Sequence, residues 1–142
     1  LSYTQWLTND FYILGAAMLA PARIRNLENN KNIINIRPSG ISDHYATIYG
    51  YYKFPKIQGL STSISANYKS SRILDLSGNI TEPKRIDVGL NIRYNGKIRA
   101  TLFSVGLSAS DFLDNRKWRG MGNGYYVTGS PPNYSVNIAA TF

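Results

Sequence analysis

The chain has 142 residues, enough for one domain, and its 16 Lys and Arg against 8 Asp and Glu give a net charge of +8. With no cysteine, disulfides, thiolate catalysis and Cys-ligated metals are excluded. The basic residues are scattered and the densest group, Arg116, Lys117 and Arg119, is short, so no nucleic-acid partner is expected.

Mean hydropathy is slightly negative, and the most apolar stretch, residues 11–22, is interrupted by Gly15 and Pro21, which argues against a membrane helix. Eleven tyrosines and an aromatic content of 13% suit β structure instead.

Taken in chain order at period two, residues 1–7 read as the end of a strand, followed by a tight turn at Thr8-Asn9-Asp10. A strand over about 11–25 leads into a polar link over about 26–41, and a second strand covers about 42–54. After a turn at 55–59, Leu60, Thr62, Ile64, Ala66 and Tyr68 alternate with Ser61, Ser63, Ser65, Asn67 and Lys69. Beyond a link at 70–83 comes the clearest strand, residues 85–95. Ile86, Val88, Leu90, Ile92 and Tyr94 point one way; Arg85, Asp87, Asn91 and Arg93 point the other. Asn95-Gly96-Lys97 reads as a hairpin turn. Phe103, Val105, Leu107 and Ala109 then share one face, and a long link covers residues 111–132. The last strand places Tyr134, Val136, Ile138, Ala140 and Phe142 on a common face.

Short turns and long links therefore alternate strictly, and strands of about ten to twelve residues match a tilted crossing of the hydrocarbon core. The pattern implies an all-β fold: an antiparallel, up-and-down transmembrane β-barrel segment of six to seven strands, with Trp6, Phe11, Tyr51, Tyr52, Phe54, Tyr94, Phe112 and Phe142 as an interfacial aromatic girdle. Six strands and a remnant are too few to close a membrane barrel, so residues 1–142 are expected to be the C-terminal part of a larger one, its further strands upstream. The start at Leu1-Ser2-Tyr3, with neither Met nor a signal-peptide pattern, agrees with that expectation, and Phe142 reads as a true end at the periplasmic edge.

No catalytic constellation is visible, and no enzymatic activity is expected. His44 beside Asp43 reads as a polar residue at a strand entry. Asp111 and Asp114, like Asp75 and Glu82, read as turn and loop-margin residues rather than metal ligands, and no cofactor is expected. The last link is the richest in chemistry. Arg116, Trp118, Arg119, Tyr125 and Tyr126, set among glycines, suit an anionic or aromatic ligand through ion pairing and stacking. The blander alternative has the aromatics anchoring the outer interface and the bases pairing with lipid phosphates.

Three segments resemble the C-terminal part of TonB-dependent receptors of the ferric-siderophore type: Gln5 through Phe11 to Ala22-Arg23-Ile24, Val105 through Asp114 with Trp118, and Gly129-Ser130-Pro131-Pro132-Asn133 through Phe142. The chain departs from the family's pattern at Ser110-Asp111 and at Pro132-Asn133, so the resemblance reaches the family and no particular subfamily. It implies a 22-stranded barrel in the outer membrane of a Gram-negative bacterium, with a plug and a TonB-contacting segment in a region absent from this chain. Its implied cargo is a ferric siderophore or similar metal chelate, and its implied partners are the TonB complex, outer-membrane lipid and the barrel-assembly machinery, which would read the terminal Phe142. Haem, cobalamin or oligosaccharide receptors and porin-like channels remain alternatives, as does a soluble β-sandwich binding module.

Overall fold

A computed structural model describes residues 1–23, 37–75, 79–99, 101–112, 118–122, 125–129 and 131–141. Its secondary structure is entirely β: β1 (Ser2–Trp6), β2 (Phe11–Leu19), β3 (His44–Lys53), β4 (Leu60–Lys69), β5 (Arg72–Ile73), β6 (Thr81–Glu82), β7 (Arg85–Ile98), β8 (Thr101–Ser110), β9 (Arg119–Gly122), β10 (Tyr125–Val127) and β11 (Asn133–Thr141). Seven of these form one antiparallel sheet in the order β1-β2-β3-β4-β7-β8-β11, an up-and-down meander. The pairs β5/β6 and β9/β10 are small separate ribbons inside two of the long links.

Register gives the sheet two chemically distinct faces, because directly paired residues share a face. Ile13↔Gly50, Gly50↔Ile64, Ile64↔Leu90 and Leu90↔Ala109 run across five strands, and Ala109↔Tyr134 carries the row to the sixth. Along this face no strand of the sheet carries a Lys, Arg, Asp or Glu. The opposite face holds Lys53, Lys69, Arg85, Asp87, Arg93 and Lys97 among serines, asparagines and tyrosines. No described hydrophobic side chain is buried: Leu90 is 38% exposed and Ile138 76%. Among the described residues, nothing forms a second layer over the apolar side of the single large sheet.

The structure corrects several sequence expectations. The strand read over 11–25 ends at Leu19, where the Ala20 amide donates to the Asp43 carbonyl (2.8 Å) and Pro21 removes the next donor. The strand read from 42 starts at His44, because Ser42 and Asp43 turn inward and are buried. Asn95-Gly96-Lys97 is not a turn. The strand continues through these residues, pairing Gly96↔Phe103 and Ile98↔Thr101, and Arg99 leaves it at φ 53°. Gly96 is required here for packing: the Phe103 ring lies on it so closely that a Cβ would come within 2.3 Å of a ring carbon.

The girdle also divides between faces. Phe11–Tyr52 (6.2 Å between centroids), Tyr52–Phe54 (4.8 Å) and Tyr94–Phe103 (5.8 Å) band the apolar face at its short-turn end. Trp6 and Tyr51, by contrast, stand on the polar face, each against Tyr12 (4.7 and 5.2 Å). Phe142 lies outside the described residues.

At the same end Gly59 adopts φ +84°, and a Cβ there would lie 1.8 Å from the Asn95 carbonyl oxygen. Gly59→Ala is therefore expected to destabilise the β3–β4 turn by about 1–3 kcal/mol, since backbone must move to admit the methyl group. A denaturant midpoint equal to that of the unsubstituted protein would contradict the close approach.

Candidate functional site: the loop end of the polar face

All three long links leave the sheet at one end, and their described parts are tied together by hydrogen bonds. Arg72 on β5 is the hub. Its Nε donates to Glu82 Oε2 on β6 (2.6 Å), one terminal nitrogen donates to the Gly40 carbonyl (2.9 Å), and the other to the Gly120 carbonyl on β9 (3.1 Å). Three links that are distant in sequence thus meet on one guanidinium. Gly120 also donates its amide to Glu82 Oε2 (3.3 Å), and its lack of a side chain lets Leu74 approach to where a Cβ would be 2.3 Å away. Ser39 Oγ donates to the Leu74 carbonyl (2.7 Å), and the Gly40 amide to that of Ile73 (2.7 Å).

A second anchor sits at the start of β3. The Asp43 carboxylate is buried and pairs with Arg37 and with Arg23, the latter at 3.7 Å. Ser42 Oγ donates to the Ser70 carbonyl (3.0 Å), and the Ser70 amide donates to the His44 carbonyl (3.0 Å). His44 therefore serves the strand entry through its backbone. Asp75 closes its own loop by accepting from the Asn79 and Ile80 amides (3.3 and 2.8 Å), a turn role.

Two pockets adjoin at this end and share Glu82 and Pro83. One, of about 210 Å³, is polar and includes Lys69, Arg72, Arg85, Arg119 and Ser70 in its wall. The other, of about 450 Å³, is formed by Leu74, Ile80, Trp118 and Tyr126 with Thr81. Lys69 and Arg85 are a cross-strand pair on the polar face of β4 and β7, so the first pocket opens over that face.

Of the residues the sequence singled out, Arg119 reaches the polar pocket while Trp118 and Tyr126 line the apolar one. Tyr125 points away and is 73% exposed, as alternation on β10 requires. Arg116 lies outside the described residues, and so does Asp114. The sequence reading missed Arg72, Lys69 and Arg85 as members of this site, and it assigned Glu82 only a marginal role. Their signal was present as an Arg and a Glu near opposite ends of one link, but which link they would stitch to which depends on tertiary contact. Among the described residues no cluster of His, Cys, Asp and Glu is placed to hold a metal ion.

Comparison with protein-family models, curated proteins and solved structures finds no match to this chain.

Proposed function

We propose that the seven-stranded sheet is part of the wall of an outer-membrane β-barrel, with its charge-free face on lipid and its basic, hydroxyl-rich face toward a lumen. The observation that carries this reading is the charge-free, mostly apolar face: a row of residues running across the strands, with no second layer over it among the described residues and every charge of the sheet's strands on the other side. A soluble protein rarely leaves so large an apolar surface open to water. Lengths agree, since full strands of 9–14 residues cross a band of about 25 Å when tilted. The free edges of β1 and β11 then pair with further strands, because unpaired backbone in hydrocarbon costs several kcal/mol per group.

Within that class the resemblance to TonB-dependent receptors favours uptake of a ferric siderophore or similar metal chelate, energised through the TonB complex, in a Gram-negative outer membrane. Long links gathered at one end, with arginine and aromatic side chains side by side, support a ligand-collecting vestibule there.

The chain's lack of cysteine permits a clean test. Single cysteines placed along β7 in outer-membrane preparations should alternate: Leu90→Cys and Ile92→Cys inert to a membrane-impermeant maleimide but reactive with a lipid-soluble one, Asn91→Cys and Arg93→Cys the reverse. Uniform reactivity toward the impermeant reagent would remove the membrane assignment and the transport reading with it.

A further inference from the structure

Two strand glycines lack a side chain for opposite reasons. At Gly96 the chain itself takes the space, with the Phe103 ring laid on the backbone. Gly50, on the apolar face of β3, is not crowded in this way. A Cβ there would meet Ile64 at 3.5 Å and Phe11 at 3.9 Å, both ordinary contacts. Glycine weakens a strand interior, and an uncrowded one marks a place where another molecule comes close to the backbone. The missing side chain opens a groove of about 460 Å³ in the apolar face, bordered by Ile48, Ile64 and Leu90, with Phe11 and Tyr52 at its short-turn end. In a lipid-facing wall a groove left empty forfeits dispersion contacts on both sides, so an acyl chain lies in it.

Charge distinguishes the two ends of the sheet. At the loop end Asp43, Glu82, Asp87 and Asp111 are all paired with arginines. At the short-turn end Lys53, Lys56, Arg93, Lys97 and Arg99 face Asp10 as the sole acid among the described residues, and none of the five cations is in an ion pair there. Lys53, Arg93 and Lys97 stand on the polar face, but Lys56 and Arg99 lie where the strands end, each beside an exposed apolar residue: Ile57 (50%) and Ile98 (64%). Lys56 follows Phe54 by two residues in a turn folded back on it, the Ile57 amide donating to the Phe54 carbonyl (3.3 Å). Phe54 in turn packs on Tyr52 at the groove's end (4.8 Å between centroids). Apolar groove, aromatic band and unpaired cation thus follow one another from mid-sheet to rim, the order of parts in a phospholipid with a negative head group.

The geometry points to a binding site for an anionic phospholipid of the periplasmic leaflet, its acyl chain along Gly50 and its phosphate at the Lys56 and Arg99 rim. The inference rests on the barrel-wall reading above and is independent of the cargo.

The test uses protein extracted in mild detergent from outer-membrane preparations, with bound phosphatidylglycerol and phosphatidylethanolamine counted by native mass spectrometry. Phosphatidylglycerol should be retained in clear excess over its share of the membrane. Lys56→Gln and Arg99→Gln should each cut that preference by up to about fivefold, as expected for one cation at a membrane surface. Arg93→Gln, on the polar face, should leave it unchanged. Gly50→Val suits a strand and has room for its side chain, so folding should hold while retention of both lipids falls about fourfold or more, one methylene's worth of contact. Retention in proportion to membrane composition overturns the site. So does unchanged retention in Gly50→Val: loss in the Lys56 and Arg99 variants alone would leave a rim open to any anion, an acidic peptide included. The β7 cysteine alternation separates the two readings. Alternation without lipid preference removes this site and leaves the barrel wall; loss of alternation removes the wall, and the site with it.

Discussion

Leu90→Arg is expected to lower the free energy of folding into phospholipid vesicles by about 2–4 kcal/mol, whereas Asn91→Arg, one position along, should change it by no more than about 0.5 kcal/mol. Leu90 lies near the middle of β7, with Ile64 opposite on β4 and Ala109 on β8, so a cation there has no charged neighbour on its own face of the sheet. Its side chain is long enough to lean toward an interface, which is why the cost is a few kcal/mol rather than the full transfer of a charge into hydrocarbon. The depth series sharpens the argument: Ile98→Arg, on the same face at the short-turn end, should cost about 0–1 kcal/mol. Water gives a different outcome. Leu90 is 38% exposed with no described residue layered over it, so in a water-facing sheet Leu90→Arg would be nearly neutral. Denaturant titrations of the three variants in vesicles therefore separate the two environments, and a neutral Leu90→Arg would sink the membrane reading.

Much of this architecture was legible at period two, because a strand with one apolar face fixes its own register. The alternation over 60–69 and 85–95 predicts the faces of β4 and β7, and their observed register sets Ile64 against Leu90 and Ser63 against Asn91. What failed were signals that local sequence cannot rank. Asn95-Gly96 has strong turn chemistry, but Tyr94, Lys97 and Ile98 gain partners on β8, and Phe103 covers the glycine, so pairing outweighs the turn preference. Trp6 and Tyr51 count toward an interfacial aromatic girdle by residue type and position near strand ends; parity puts them with Tyr12 on the polar side. In the candidate site the last link disclosed Trp118, Arg119 and Tyr126 through composition. Arg72 and Glu82 carried no such flag, since an arginine in a loop is ordinarily a solvated charge and its three bonds exist only once the links converge.

That convergence makes Arg72→Ala the most disruptive change expected at the loop end. The substitution removes the donor from Glu82, whose side chain is 13% exposed, and strands the Gly40 and Gly120 carbonyls together. Breaking a fully buried pair from one side costs about 3–5 kcal/mol; Arg72 is 29% exposed, so the screened value here is about 2–3 kcal/mol. The loss is local, since none of these bonds belongs to the seven-stranded ladder. Amide hydrogen exchange should accelerate at Gly40, Leu74 and Gly120 by some thirtyfold or more while β4, β7 and β8 keep their protection. Because the stranded carboxylate dominates the cost, the double change Arg72→Met with Glu82→Gln should recover much of the protection lost in Arg72→Ala. Acceleration spread across the strands would instead mean that the links and the sheet unfold as one unit, and the loop end could not be a separately adjustable binding surface.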